Sequence, residues 1–240
     1  MKFDDLVVAN RILANENIVD AYGHVSVRHP EDPRRFFLAR SLAPELVEPG
    51  DIMQFDLEGN ALGGDSRQPY LERFIHAAVY EARAEVMAVV HAHAEDVLPF
   101  AISSAALKPV IHSGSFMGEH VPVWDIRDRF GDHTNLLVTN VAQARDLAQS
   151  LDKNNVALMR GHGFVAAAGS LIEVVRMSVY VPRNARVQYK ALQLGELKPL
   201  SCGEIEARAA GYKPYSPETW RAWEYWATRA GCAHLLSKKT

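Results

Sequence analysis

VVHAHAED, residues 89–96, closes an apolar run that starts at Val86 with two histidines one residue apart. The run reads as a buried strand, and side chains at i and i+2 of a strand point to the same face. His91 and His93 therefore present two imidazoles side by side where a core strand ends. That geometry suits a metal site or a polar contact at the edge of a cleft.

Working outward, the helical spacing of Leu6, Val7, Ile12 and Leu13 predicts a helix over residues 4–17. Residues 23–28, 35–39 and 52–55 read as strands separated by the turn at 29–33 and the tight turn Glu58-Gly59-Asn60, a pattern of antiparallel hairpins. Residues 70–83 space Leu71, Phe74, Ile75, Ala78 and Val79 as a helix that leads directly into the strand at 86–93. Beyond it the pattern predicts a helix over 95–106, a strand at 135–138 and a helix at 141–151. Short strands at 156–159 and 164–167 flank Arg160-Gly161-His162-Gly163, and Ser170 caps a helix running to about residue 192. The sum is an α/β chain with a mixed sheet sandwiched by helices. Near the end, Ser216-Pro217 reads as a cap followed by proline at the first helical position. Trp220, Trp223 and Trp226 then form a stripe suited to packing or a subunit interface rather than to a ligand platform.

Composition bounds the function. A chain of 240 residues with 48% hydrophobic and 23% charged residues buries a full core, so one globular domain over 1–240 with a helical tail from about 195 is expected. The formal net charge is −3, and the basic residues are scattered rather than gathered into a stripe, which argues against nucleic acid. No apolar run approaches a membrane span, and acids at positions 4 and 5 stand where a secretory leader needs positive charge. Two cysteines give no disulfide framework, which fits a reducing cytoplasm.

A protein-held divalent metal wants three or more N or O donors, with an open position where it is catalytic. His162 is the natural third partner, because its flanking glycines allow close backbone approach or positive φ. Glu72, read as lying one turn into the helix before the His-x-His strand, supplies an acid. His76 shares its face at i+4 and suits either a structural hydrogen bond or the site.

Glu72-Arg73-Phe74-Ile75-His76, Val89-Val90-His91-Ala92-His93 and Arg160-Gly161-His162-Gly163, in that order and spacing, resemble the class II aldolase/adducin family. The resemblance implies a three-layer α/β/α sandwich around a mostly antiparallel sheet and a homotetramer with sites between subunits. It also implies one divalent metal per subunit (zinc, manganese, iron or cobalt) on His91, His93 and His162, with Glu72 as acid/base. Where the sugar-phosphate aldolases of the family carry Gly-Asn-x-Ser, this chain has Gly23-His24-Val25-Ser26, and Tyr70-Leu71 replace two serines before the acid. Hydroxyls that would hold phosphate are thereby lost. Arg40-Ser41-Leu42-Ala43-Pro44-Glu45-Leu46 and the stretch from Pro69 to His76 resemble instead the metal-dependent decarboxylases of hydroxylated aromatic, pyridine or ring-cleaved muconic-semialdehyde acids.

What that branch implies is a carbon–carbon lyase for a small carboxylic acid, in which a cation takes up the negative charge left when CO₂ departs. Arg40 is expected to capture a carboxylate, with Ser41, His24, Ser26 and Tyr70 lining the substrate site and Glu72, its pKa raised by apolar surroundings, returning a proton. His112 falls where the family places a residue near the neighbouring subunit's site, although Ser113 replaces the tyrosine that usually follows. An aldolase for a non-phosphorylated hydroxy-keto acid and a non-catalytic adducin-like interaction protein are the alternatives.

Overall fold

Period-2 burial folds the first part of the chain into antiparallel ribbons. In the computed structural model, which describes residues 3–213 and 215–236, β1 (His24–Arg28), β2 (Arg35–Ala39) and β3 (Ile52–Asp56) form a meander. The free edge of β1 pairs antiparallel with β4 (Ala88–Ala92), in a register that sets His24 opposite His91. The sheet continues to β5 (Val123–Trp124), β6 (Val156–Met159) and β7 (Gly163–Ala168), in the spatial order β3-β2-β1-β4-β7-β6-β5. Every pairing is antiparallel except β5 with β6. All five residues of β4 are buried at the middle of the sheet, which explains why its run is apolar throughout rather than alternating.

The helices are α1 (Asp4–Asn15), α2 (Arg73–Ala82), α3 (Leu98–Ile102), α4 (Arg127–Phe130), α5 (Val141–Leu151), α6 (Leu171–Leu192), α7 (Cys202–Ala210) and α8 (Pro217–Arg229). α1, α6 and α8 pack on one another, α2 packs along α5, and both α2 and α6 touch β4. Ser170 and Ser216 cap α6 and α8 as the sequence predicts, each accepting from the backbone N–H three residues on. Trp223 and Trp226 are buried where α8 meets α6 and α1, so the tryptophan stripe is packing. The last four residues of the expected helical tail lie outside the described residues.

Three expectations are corrected. The helix over 95–106 shrinks to a 3₁₀ turn at Glu95–Val97 and α3, because Ser103 turns extended. The strand at 135–138 does not form: Leu136 takes φ +65°, which breaks strand geometry, and the edge position is taken by β5 instead. The helix expected from residue 70 starts at Arg73, leaving Glu72 in its N-cap position with φ −93° and ψ 21°.

One buried arginine fixes how α2 lies on the sheet. Arg28, at the end of β1, donates to the carbonyls of Tyr80 and Arg83 at the C-terminal end of α2 and to those of Val86 and Pro33. A cation there satisfies carbonyls the helix leaves open and complements its dipole. With that end pinned, His76 and Tyr80 on α2 face His24 and Ser26 on β1, and Glu72 at the other end is brought over β4.

Candidate metal centre and active-site cleft

Four side chains from three parts of the chain converge at the end of β4. Glu72 at the start of α2, His91 in β4, His93 just past it and His162 in the turn between β6 and β7 offer ligand atoms that all lie within 4.8 Å of one another. Glu72 and His91 are buried and the other two are partly exposed, so the cluster is closed on one side and open on the other. Both glycines of the Gly-His-Gly turn do what the sequence anticipates. Gly161 takes φ +66°, and Gly163 sits where a side chain would collide with the backbone of β4.

Hydrogen bonds fix which ring nitrogens face inward. His91 Nδ1 is 3.1 Å from the Phe164 carbonyl oxygen and His162 Nδ1 is 2.8 Å from that of Leu136. A carbonyl only accepts, so each Nδ1 carries a hydrogen and each ring turns its Nε2 inward. Those two Nε2 atoms stand 3.0 and 3.1 Å from His93 Nε2, and Glu72 Oε2 is 3.4 Å from both. Glu72 is aimed by its other oxygen, which accepts the Val138 backbone N–H at 2.8 Å. Three ring nitrogens and a carboxylate oxygen gathered this closely call for positive charge among them. Burial, then the neighbouring His91 and His162, pushes the His93 imidazole down to about 4, which disfavours a proton in that role. The donor set therefore fits a divalent cation, with backbone carbonyls orienting two of the rings.

The environment of Glu72 overturns one expectation. Burial does push its carboxyl up, but His91 and His162 outweigh that effect and hold it well below the usual carboxylate range. Its surroundings are imidazole rather than apolar, and it is a carboxylate in the resting site.

The open side faces a cleft of about 490 Å³ lined by Tyr22, His24, Ser41, Leu42, Tyr70 and Leu71, together with Glu72, His93 and Leu137. Of the expected substrate residues, His24, Ser41 and Tyr70 reach it. Tyr70 presents its ring, 4.7 Å from that of His24, because its hydroxyl is already donated to the Leu42 carbonyl. Arg40 is not among the lining residues: its Nε donates to Asp51 Oδ1 at 2.7 Å. Ser26 and His76 are fully buried behind His24. His112 lies elsewhere, in a hollow shared with Arg176, Tyr180 and α8. A second hollow, of about 570 Å³, reaches His93 from the far side, and its arginines 183, 186 and 229 are ion-paired with Glu16 or Asp96.

Sequence reasoning missed Tyr22 and the backbone of residues 136–138. Tyr22 precedes Gly23, whose φ of +90° swings the chain into β1, so a turn was legible but its proximity to His93 was not. Backbone donors and acceptors leave no side-chain signal at all.

An α/β protein whose central strand ends in an acid-plus-three-imidazole cluster beside a small-molecule cleft is built as a mononuclear metal enzyme is built. The chain belongs to the class II aldolase and adducin family: the sequence profile of the Class II Aldolase and Adducin N-terminal domain matches residues 4–189. It is 37% identical over 195 residues to decarboxylase tropJ of Talaromyces stipitatus, covering 76% of this chain and 73% of that one. It is 27% identical over 205 residues to a 3,4-dihydroxyphthalate decarboxylase of Arthrobacter keyseri, covering 79% and 78%. The fold matches that of the L-fuculose 1-phosphate aldolase from Glaciozyma antarctica, with a TM-score of 0.73 at 23% identity over 97% of this chain and 88% of that one.

Proposed function

We propose that this chain is a metal-dependent carbon–carbon lyase that removes CO₂ from a hydroxylated aromatic or related ring-derived carboxylic acid. The observation that carries the reading is the cleft itself: the cluster of Glu72 and three histidines opens onto apolar and aromatic side chains, with no lysine or arginine among the described lining residues. A phosphorylated substrate calls for converging cations and hydroxyls. A flat ring that loses a charged carboxylate as neutral CO₂ fits apolar walls. The likeness to two decarboxylases, one named for a dihydroxyphthalate, supports the same choice.

In this reading His91, His93 and His162 would hold a divalent zinc, manganese, iron or cobalt ion, with Glu72 Oε2 beside them as a further available donor. The ion, when bound, supplies Lewis-acid stabilisation of negative charge on an adjacent substrate oxygen. Glu72, a carboxylate at rest, takes the proton of the substrate hydroxyl. Glu72 then delivers that proton to the ring carbon bearing the carboxylate, which puts the carboxylate β to a carbonyl; as the bond to it breaks, the electron pair re-forms the ring double bond and returns charge to the substrate oxygen while CO₂ departs. Val138 N–H holds Oε1 throughout, so that Oε2 is the oxygen that accepts and returns the proton. Tyr22, Leu71 and Leu137 give the cleft an apolar wall beside the carbon that is protonated.

The scaffold in this reading is a three-layer sandwich with the α2/α5 and α1/α6/α8 groups as outer layers, assembled as a homo-oligomer, a tetramer on the family pattern, in the cytoplasm. His112 then has a role only against another copy's cleft, since it lies outside its own. The test is incubation of metal-reconstituted protein with hydroxybenzoic, dihydroxyphthalic, hydroxypyridine, muconic-semialdehyde and non-phosphorylated hydroxy-keto acids, following CO₂ and aldehyde together. CO₂ release supports the decarboxylase, whereas aldehyde from a hydroxy-keto acid with no CO₂ from any acid overturns it in favour of the aldolase.

A further inference from the structure

Behind the cleft lies a buried polar chain that proton transfer at Glu72 does not use. His24 Nδ1 is 2.7 Å from His76 Nε2, His76 Nδ1 is 2.6 Å from Ser26 Oγ, and Ser26 Oγ is 2.8 Å from Tyr80 Oη. All four side chains are buried, His76 and Ser26 completely. Each link contains one hydrogen, so the direction of the chain follows from its closed end. The Tyr80 hydroxyl meets Ser26 Oγ and the backbone of Val89; the Val89 contact lowers the phenol's pKa, as a hydrogen bond donated to the phenolic oxygen does, so Ser26 Oγ is the acceptor for the phenolic hydrogen. Were Ser26 the donor in that link, the phenolic hydrogen would be orphaned in the core. Tyr80 therefore donates to Ser26, Ser26 donates to His76 Nδ1, and His76 donates through Nε2–H to His24 Nδ1. His24, accepting at Nδ1, carries its own hydrogen on Nε2. That atom has no protein partner among the described residues and is not sealed in the core, and the ring lines the cleft beside His91 at a centroid distance of 5.2 Å.

We propose that the one-way chain Tyr80–Ser26–His76–His24 locks His24 as a hydrogen-bond donor whose Nε2–H reads an acceptor oxygen of the bound acid, with His76, Ser26 and Tyr80 as positioning residues. This rests on the reading of the cleft as the substrate site. Because His24 Nδ1 accepts from His76 it bears no hydrogen, so the donor is a tautomer rather than a charge. A neutral donor selects an oxygen acceptor by direction without trapping the carboxylate that must leave uncharged. A flexible cation in the same place would hold that carboxylate in its ground state. The register His24↔His91 places this donor next to the metal-type cluster, which gives the cleft two polar readers at one end and apolar walls at the other.

Two measurements on the full chain test it. In ¹⁵N-histidine-labelled protein, long-range ¹H–¹⁵N spectra should show His24 and His76 protonated at Nε2 and bare at Nδ1, with Tyr80→Phe mixing the His24 tautomers. A His24 protonated at Nδ1 in the unmodified chain overturns the assignment. In zinc-loaded protein, binding of 2,3-dihydroxybenzoate should weaken about tenfold in His24→Leu, whereas His24→Gln, whose amide N–H reaches the same position, should stay within about threefold. Zinc content should be equal in all three. Failure of the unmodified chain to bind the probe, or equal affinity in both variants, overturns the donor role. If the binding pattern holds but no acid yields CO₂, the decarboxylase reading fails and the donor stands.

Discussion

Gly163 and His93 are packed so closely that a β-carbon on the glycine would stand 3.1 Å from the His93 α-carbon and 2.1 Å from the Ala92 carbonyl oxygen. The turn that carries His162 can therefore bring its ring against His93 only because residue 163 has no side chain. Gly163→Ala is expected to push β7 away from the end of β4, costing about 1–3 kcal/mol of stability and at least tenfold in metal affinity. Urea unfolding and zinc titration read the two effects. Gly203→Ala, in open space within α7, is the control and should leave metal affinity unchanged and stability undiminished.

Glu72→Gln separates ligand from acid/base. The glutamine oxygen can still accept from Val138 N–H, so the position of the side chain is kept while its capacity to hold a proton is lost. Turnover should fall by about 10²–10⁴-fold, with metal content by elemental analysis near that of the unmodified chain. Turnover within a few-fold of normal would remove Glu72 from the proton transfer.

What the sequence disclosed follows from physical range. The same-face pairing of His91 and His93, the Gly-His-Gly turn and the serine caps are consequences of local geometry, and all are visible in a window of a few residues. The pairing of Arg40 with Asp51, eleven positions on, is not legible locally, because the partner is brought to it across the β2–β3 pairing. Ser26 shares a strand face with His24, but α2 crosses over it and leaves only His24 at the rim, a long-range packing that the local sequence does not announce. The segment 135–138 has strand-forming side chains, yet its backbone is committed to His162 and Glu72, which no side-chain pattern announces.

His93→Ala is the cleanest way to remove the metal. His93 lies past the end of β4 and is partly exposed, whereas His91 is wholly buried and its truncation would also open a cavity in the sheet. The variant should fold, lose bound metal and lose activity. Adding zinc at about 100 times its dissociation constant should raise the stability of the unmodified chain by about 2.7 kcal/mol and leave the variant where it was. A metal content equal to that of the unmodified chain would reject the ligand assignment.

The buried histidines set a pH dependence whose sign is fixed. His76 is pushed down to about 3 by burial, and the unfolded chain titrates the same group near its ordinary value of 6.5. Above pH 6.5 both states are neutral and the group contributes nothing. As pH falls below 6.5 the unfolded chain takes a proton that the folded one refuses, so stability drops by about 1.4 kcal/mol per pH unit until the folded value near 3 is reached. The fall is opposite in origin to a lost ion pair, since no native contact breaks. His76→Gln cannot titrate, and its urea midpoint between pH 4 and 7 should slope less steeply than that of the unmodified chain. Parallel slopes would mean that His76 is already protonated in the folded protein, or that other groups carry the whole effect.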